Sequence, residues 1–223
     1  VMAMYEIVRM TFKETNIVVL GLSSLAGALL YLREEILGLS QYGIVYLLVI
    51  GMLGVVVATG HRIKLVEIGS IIFVTVYVFV GFYSLYMLRN LSLAHIGYLL
   101  LTIWFTDSFA YIGGMKFGKN KLSPKISPNK SIEGSVIGSL SSIVIALVFY
   151  FATNIFTNLA VAIGITLVVS VIGQFGDLIE SAYKREYGVK DSSNLLPGHG
   201  GIFDRFDSVI LSAPCLILLL NLL

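Results

Sequence analysis

The sequence predicts an all-α protein: a polytopic bundle of about seven transmembrane helices, forming one integral membrane domain over residues 1–223. Two observations indicate this fold. Hydrophobic residues make up 57% of the chain and charged residues only 13%, too apolar a composition for a soluble domain with a charged surface. The apolar residues also form stretches of about 20, the length that a helix needs to cross a bilayer.

Each apolar stretch is predicted to form one membrane helix. The stretches lie near residues 16–32, 41–60, 67–88, 91–115, 133–155, 158–180 and 205–223. Two connections are long, 116–132 and 181–204, and they are rich in Lys, Gly, Pro and Ser, as loops are. Two Ser-Pro steps in the first long connection favour turns and extended backbone over helix. These two loops have room for a reaction site.

The distribution of basic residues predicts the orientation. A chain that crosses the membrane seven times places alternate loops on the same side. With these spans, all of the 15 Lys and Arg residues except Arg33 and Arg89 fall on one side. The positive-inside rule makes that side cytoplasmic, and both long loops lie on it.

Asp107 is predicted to lie at membrane depth. It precedes Lys116 by nine residues, which on a helix is about 13 Å along the axis. A carboxylate at that depth is costly and is a functional candidate, facing the interior of the bundle or a wet cavity. The alternative is a helix-packing residue paired with a neighbouring Lys.

Two acidic groups are predicted at cytoplasmic helix ends. The segment GQFGDLIESAYKR places four polar residues on one helix face, namely Asp177, Glu180, Ser181 and Lys184. The segment DRFDS places Asp204 and Asp207 within one turn. Oxygen ligands without His or Cys favour a hard cation such as Mg²⁺. The alternative is an ordinary charged cap at each helix end.

Both long loops have features of phosphate-binding segments. In the second loop, Gly198, Gly200 and Gly201 can bend the backbone so that its N–H groups face phosphates. Positive charge around this loop comes from Lys184, Arg185, Lys190 and Arg205. The lysines of the first loop are expected to hold phosphate beside the membrane. The alternative for them is a surface patch for anionic lipid.

The segment from Ser181 to Ser208 resembles the signature of the phosphatidate cytidylyltransferases, also called CDP-diacylglycerol synthases. The matching positions are Ser181, Lys184, Arg185, Lys190, Asp191, Pro197, His199, Gly200, Gly201, Asp204, Arg205 and Asp207. A second segment, Asp107 to Gly134, resembles the same family at Ser127, Pro128, Lys130 and Glu133. Met115 stands where many members have a basic residue. The segment AMYEIVRM resembles one that members reach after two earlier helices, so two more membrane helices are expected upstream.

The resemblance implies transfer of CMP from CTP to phosphatidate, releasing pyrophosphate. The reaction would be Mg²⁺-dependent, with K⁺ as a candidate second cation, in a homodimer of the cell inner or plasma membrane. No nucleic-acid partner is expected. The implied metal ligands are Asp177 and Asp204, and the implied catalytic residues are Asp177, Lys184, Asp204 and Arg205. The implied substrate-binding residues are Asp107, Lys119, Ser127, Lys130, Glu133, Ser181, Arg185, Lys190, Asp191, His199, Gly200, Gly201 and Asp207. Residues 105–134 and 173–208 would thus form the catalytic cytoplasmic half.

Two alternatives stay open at this stage. One is a CTP-using enzyme acting on another lipid, such as a polyprenol kinase or an ether-lipid cytidylyltransferase. The other is an ion-coupled transporter, in which Asp107 and Asp177 would line a cation path. The clustering of the acidic residues on one face beside a lysine-rich loop argues against transport.

The predicted orientation can be tested by cysteine labelling. Cysteines that replace Lys121 and Lys190 should react with an impermeant maleimide from the same side of the membrane, because both long loops are predicted to be cytoplasmic. Arg89→Cys, in a connection predicted to face the other side, is the control. Reaction of positions 121 and 190 from opposite sides would contradict the predicted helix count.

Overall fold

A computed structural model describes residues 1–32, 40–60, 62–195 and 200–222 of the chain. Its helices are α1 (Met2–Phe12), α2 (Ile17–Leu32), α3 (Gln41–Ala58), α4 (Leu65–Leu91), α5 (Leu93–Phe117), α6 (Ile132–Ser141), α7 (Ile143–Ala152), α8 (Leu159–Glu186) and α9 (Ile202–Leu220). Between α5 and α6 lie two short antiparallel strands, β1 (Lys121–Ser123) and β2 (Ser127–Ser131).

Within the described residues, four helical segments are long and apolar enough to cross a membrane. These are α4, α5, α8 and the segment Ile132–Ala152, which α6 and α7 form together. The helices α2 and α3 are also apolar but are shorter. The chain is therefore an integral membrane protein with a helical fold. A helix occupies each of the seven predicted stretches, while the number of membrane crossings stays a prediction.

The strands β1 and β2 depart from the all-α prediction. Lys121 pairs with Ser131 and Ser123 pairs with Ser127, and the register shifts between these two pairs. Pro124 lies in the turn and Pro128 in β2, and proline lacks the N–H that a helix interior needs. In a two-stranded sheet both strands are edge strands, where proline is tolerated. The expectation of turns and extended backbone in this loop is confirmed.

Two predicted boundaries were wrong by several residues. The helix predicted to end at residue 180 continues to Glu186, so Ser181, Lys184 and Arg185 are helical and do not belong to the following loop. Lys184 and Arg185 in its last turn interact favourably with the negative end of the helix dipole. The last helix begins at Ile202, three residues before the predicted start.

Within the predicted membrane domain, the chain forms two compact units. The first comprises Val1–Tyr83 with Glu186–Arg205, and the second comprises Ser84–Arg185 with Phe206–Leu223. In the first unit, Thr75 of α4 donates a hydrogen bond to Ser23 of α2 at 3.3 Å. The Tyr187 hydroxyl donates to Ser70 Oγ at 3.0 Å, which ties the chain after α8 to α4.

The second unit has an aromatic centre at Tyr98. Its ring packs edge-on against Phe149 and Phe156, with ring centroids 5.4 and 5.1 Å away. Its hydroxyl lies 2.6 Å from Thr166 Oγ1, so the buried polar end of the tyrosine has a partner on α8. This arrangement fixes α5, α7 and α8 relative to one another.

A row of hydrogen bonds joins α5, α6 and α8 inside the second unit. Thr106 donates to Ser170 at 2.9 Å, and Ser170 donates to Ser139 at 3.1 Å. Gln174 Nε2 donates to Ser139 Oγ at 2.9 Å. Hydrogen bonds between buried hydroxyl and amide groups are a common means of helix association in membranes. Here they fix the rotation of α8, which places Asp177 less than one turn beyond Gln174.

Gly134 and Gly138 bring α6 into close contact with α5. A Cβ on Gly134 would lie 2.5 Å from the Ala110 carbonyl oxygen, and one on Gly138 would lie 2.6 Å from the Thr106 carbonyl oxygen. Real side chains do not approach backbone atoms so closely. This GxxxG pair therefore forms a close helix contact.

We expect Gly138→Ala to destabilise the protein by about 1–3 kcal/mol, because the methyl group would overpack this helix contact. Gly164→Ala on α8 is the matched control, since nothing lies within 4 Å of the position of its Cβ. In the control, the better helix propensity of alanine should leave stability unchanged or raise it by up to about 1 kcal/mol. Thermal unfolding in detergent measures both variants. Equal melting temperatures would contradict the close contact.

Candidate active site

Three carboxylates converge in the second unit. Asp177 and Glu180 lie three residues apart on α8, and Asp207 lies on α9. One oxygen from each residue falls within 4.8 Å of the others. Negative charges this close repel one another in surroundings of low polarity, so the group requires compensating positive charge. We call these three residues the carboxylate cluster.

Gly176 allows α9 to approach α8 at the cluster. A Cβ at this position would lie 2.6 Å from the carbonyl oxygen of Asp207 and 3.0 Å from the Cα of Ser208. The α9 backbone therefore passes directly over residue 176, one position before Asp177. A larger residue at this position would push Asp207 away from the other two carboxylates.

Two lysines supply positive charge to the cluster. Lys130, at the end of β2, forms an ion pair with Asp177, and both side chains are 27% exposed. Lys184 Nζ lies 2.9 Å from Glu180 Oε2, and there the exposed fractions are 11% and 1%. Both lysines also interact electrostatically with Asp207. The pair between Lys130 and Asp177 is thus the more accessible one, and the pair between Lys184 and Glu180 is nearly buried.

Other predicted residues surround the cluster. Ser181 donates a hydrogen bond to Asp177 Oδ1 at 3.2 Å. Asp107, on α5, is exposed on the second unit and lies within electrostatic range of Lys130, Asp177 and Asp207. The site therefore draws residues from α5, β2, α8 and α9. The structure brings together these six predicted residues: Asp107, Lys130, Asp177, Ser181, Lys184 and Asp207.

Glu133 fixes the base of the hairpin. Its carboxylate accepts hydrogen bonds from the backbone N–H of Lys119 at 3.1 Å and from Asn120 Nδ2 at 2.7 Å. Glu133 lies in the first turn of α6, so it ties the end of α5 to the start of α6 across the hairpin. These contacts give Glu133 a structural role whether or not it also contacts substrate.

A second carboxylate group lies in the first unit, around Asp204. Asp204 Oδ2 accepts hydrogen bonds from the N–H and Oγ of Ser192 and from the N–H of Gly201, each at 2.8 Å. Gly200 has φ +75°, which favours glycine, and a Cβ there would lie 2.6 Å from Asp204 Oδ2. Gly200 and Gly201 therefore let the backbone fold closely around Asp204.

The remaining predicted residues lie near the surface, with one exception. Ser127 is partly buried in β2, and the exposed ones are Lys119, Arg185, Lys190, Asp191 and Arg205. His199 lies outside the described residues. Two residues of the carboxylate groups were missed as site residues, Glu180 and Glu6. The helix-face pattern already included Glu180, and an acidic residue within the apolar stretch AMYEIVRM was the available signal for Glu6.

The carboxylate cluster fits a hard divalent cation by its chemistry. All of its candidate ligand atoms are carboxylate oxygens, which Mg²⁺ prefers, and Mg²⁺ is commonly held by one or two carboxylates together with phosphate oxygens. The adjacent lysines would attract those phosphates. The fold and this cluster together define a class: an integral membrane protein with an acidic and lysine-lined site suited to phosphate groups and a hard cation.

Sequence comparison identifies the family of the chain. The model of the cytidylyltransferase family matches residues 1–223, so the chain belongs to this family. The phosphatidate cytidylyltransferase of Staphylococcus aureus (strain COL) is 37% identical over 169 residues, which is 76% of this chain and 65% of that protein. The proteins of the same name from Staphylococcus haemolyticus and Staphylococcus epidermidis are 36% identical over the same length. The predicted family resemblance is confirmed.

Proposed function

We propose that this chain is a CDP-diacylglycerol synthase, which joins CTP and phosphatidate to form CDP-diacylglycerol and pyrophosphate. The matched part covers 65% of the S. aureus relative, and the names of the relatives support the choice of substrates. The single observation in the structure that supports it most is the convergence of Asp177, Glu180 and Asp207 beside Lys130.

In this reaction a phosphate oxygen of phosphatidate attacks the α-phosphorus of CTP. The new bond joins that oxygen to the α-phosphorus, and the bond from the α-phosphorus to the bridging oxygen of the β-phosphate breaks. The electron pair leaves on pyrophosphate. Because the attacking oxygen is already anionic near neutral pH, a strong general base is not required. The protein contributes position and charge neutralisation.

Asp177 and Asp204 are the proposed Mg²⁺ ligands, and Asp207 and Glu180 are neighbours of Asp177. A bound Mg²⁺ would neutralise phosphate charge and hold the reacting groups in line. Asp204 is held in one orientation by three hydrogen bonds to Oδ2. Lys184 and Arg205 are proposed to neutralise the triphosphate, and K⁺ is a candidate second cation.

Lys130 is proposed to exchange partners during the reaction. It is ion-paired with Asp177, and a cation on Asp177 would take over the neutralisation of that carboxylate. The ammonium of Lys130 would then serve the phosphate of phosphatidate, as a lysine contacts phosphate through a point charge. The remaining parts of the proposal are a homodimer in the cell inner or plasma membrane, with its active site on the cytoplasmic side.

The activity assay distinguishes the proposal from its alternatives. Purified protein with α-labelled CTP, phosphatidate and Mg²⁺ should give labelled CDP-lipid and one pyrophosphate per turnover. A polyprenol kinase would instead give CDP and a phosphorylated polyprenol. An ether-lipid cytidylyltransferase would form product only with the ether lipid. Ion flux in proteoliposomes without any lipid product would favour a transporter.

We expect Asp177→Asn and Asp204→Asn each to lower turnover at least about 100-fold, because a hard cation needs the negative charge that each substitution removes. Asp207→Asn should raise the Mg²⁺ concentration for half-maximal activity at least about tenfold, since its oxygen lies in the cluster. Titration of CDP-lipid formation with Mg²⁺ measures all three.

The same titration includes a control and a double variant. Glu14→Gln removes an exposed carboxylate of the first unit and should leave the Mg²⁺ dependence unchanged. The pair Asp177→Asn with Asp204→Asn should cost little more than either change alone, because residues that act as a unit are strongly non-additive. Near-normal turnover of Asp177→Asn at ordinary Mg²⁺ would contradict the proposal that these carboxylates bind Mg²⁺. They would then be ordinary charged residues at helix ends.

We expect Lys130→Ala to raise KM for phosphatidate about tenfold or more with a smaller change in kcat, because a contact to phosphate exists before the transition state. Lys125→Ala is the control, since it removes an exposed lysine from the turn of the same hairpin. Initial rates at varied phosphatidate and saturating CTP measure both. A fall in kcat with unchanged KM would assign Lys130 to the transition state instead.

A further inference from the structure

Glu6 is a buried carboxylate far in sequence from every predicted site residue. It lies on α1 and is 0% exposed. Its neighbours on that helix are apolar and buried, including Ala3, Ile7 and Val8. A buried carboxylate is costly unless hydrogen bonds compensate for the lost hydration. The contacts that compensate Glu6 therefore indicate why it is placed there.

Both oxygens of Glu6 accept hydrogen bonds from the segment 192–203. Oε1 accepts from Ser193 Oγ at 2.8 Å and from the Ile202 N–H at 2.9 Å. Oε2 accepts from Ser192 Oγ at 3.0 Å and from the Phe203 N–H at 2.9 Å. One side chain thus gathers donors from both ends of the segment that carries the glycines of the predicted loop.

The two backbone donors belong to the first turn of α9. N–H groups at the start of a helix have no partner within the helix, and a negative charge there is favourable for the helix dipole. Glu6 therefore caps α9 from a position about 200 residues earlier in the chain. The cap fixes where α9 begins, and Asp204 lies in its first turn.

Ser192 connects Glu6 to Asp204. Its hydroxyl oxygen lies 3.0 Å from Glu6 Oε2 and 2.8 Å from Asp204 Oδ2. The Ser192 N–H also donates to Asp204 Oδ2. Because the hydroxyl has a single proton, it donates to one of these two carboxylates at a time, and the N–H keeps Ser192 bonded to Asp204 in either case. Displacement of Ser192 would remove both its N–H and its hydroxyl from Asp204 Oδ2.

Gly201 is required by the same arrangement. A Cβ at residue 201 would collide with Ser192 Oγ and would lie 2.5 Å from Glu6 Oε2. The Gly201 N–H donates to Asp204 Oδ2. The close approach of Glu6 therefore explains why residue 201 is glycine. This reason is independent of the phosphate binding that the sequence predicted for the loop.

We propose that Glu6 is a positioning residue of the active site, which holds Ser192, Ser193 and the first turn of α9 and, through Ser192, fixes the orientation of Asp204. The proposal rests on the proposed function for its kinetic consequence, because Asp204 is there a Mg²⁺ ligand. Its structural consequence, the protection of the backbone N–H groups at the start of α9, does not depend on which reaction the protein catalyses.

The test uses Glu6→Gln. The glutamine amide has the same size but accepts hydrogen bonds only at its oxygen. Its NH₂ group would replace a carboxylate oxygen that accepts from two donors, and those donors would lose their acceptor. Backbone amide exchange at residues 201–203 should become about tenfold faster, while exchange in α4 stays unchanged. The Mg²⁺ concentration for half-maximal CDP-lipid formation should rise at least about tenfold. A merely structural role would lower the melting temperature and leave the Mg²⁺ dependence of the remaining activity unchanged.

Glu67→Gln is the matched control. Glu67 also accepts a hydrogen bond from a backbone N–H at a helix start, that of Lys64 at 2.9 Å, but it caps α4 in place of α9. Neither exchange at residues 201–203 nor the Mg²⁺ dependence should change in this variant. Equal effects of the two substitutions would overturn the proposal, because a general loss of helix capping would then explain both.

Ser192→Ala provides a second route in case Glu6→Gln does not fold. It removes the hydroxyl between the two carboxylates without changing any charge. Like Glu6→Gln, it should raise the Mg²⁺ concentration for half-maximal CDP-lipid formation. A wild-type Mg²⁺ dependence in Ser192→Ala, or unchanged exchange at residues 201–203 in folded Glu6→Gln, would overturn the proposal. Absence of CDP-lipid from the unmodified protein would defeat the proposed function. The exchange measurement would then still decide whether Glu6 holds the first turn of α9.

Discussion

The cost of placing carboxylates among apolar helices is the constraint on which the rest of this structure depends. Moving an aspartate to the centre of a membrane helix costs about 3 kcal/mol on insertion scales. The chain keeps several acidic side chains near helix ends in its apolar bundle, and each has partners. Lys130 and Lys184 compensate Asp177 and Glu180. Hydroxyl and N–H donors compensate Glu6 and Asp204. The hairpin and the start of α9 are placed where these contacts require them.

Close contacts between helix backbones bring the charged side chains of the carboxylate cluster and Lys130 together. Gly176 lets the Asp207 backbone cross α8 beside Asp177, and Gly134 and Gly138 let α6 lie against α5. The second contact also sets the position of β2, which leads directly into α6 and carries Lys130. Glycine therefore contributes to the site without contacting any ligand. Small residues at helix contacts and charged residues at helix ends are two parts of one arrangement in this protein.

Hydropathy predicted the helical stretches because the length of a span is fixed by the bilayer and leaves a clear signal in composition. Helix periodicity also predicted that Asp177, Glu180 and Lys184 share a face, and Lys184 does pair with Glu180. The hairpin was missed as a pair of strands because proline signals the absence of helix more strongly than it signals a strand. The end of α8 was placed too early because charge marked the membrane boundary, whereas the helix continues beyond the apolar stretch.

The role of Glu6 could not be predicted, because the residues that it contacts lie almost the whole chain away and no local sequence pattern connects them with it. The two carboxylate groups also differ in a way that only the structure reveals. Around Asp204 the donors are two backbone N–H groups and the hydroxyl of Ser192, which Glu6 contacts. Such fixed donors hold the carboxylate in one orientation. Around Asp177 the partner is a partly exposed lysine on a hairpin, and a flexible ammonium can leave when another cation arrives. Within the proposed reaction, the first group supplies a carboxylate of constant geometry. The second supplies a carboxylate that Lys130 neutralises, and a cation held there would leave this lysine available to phosphate.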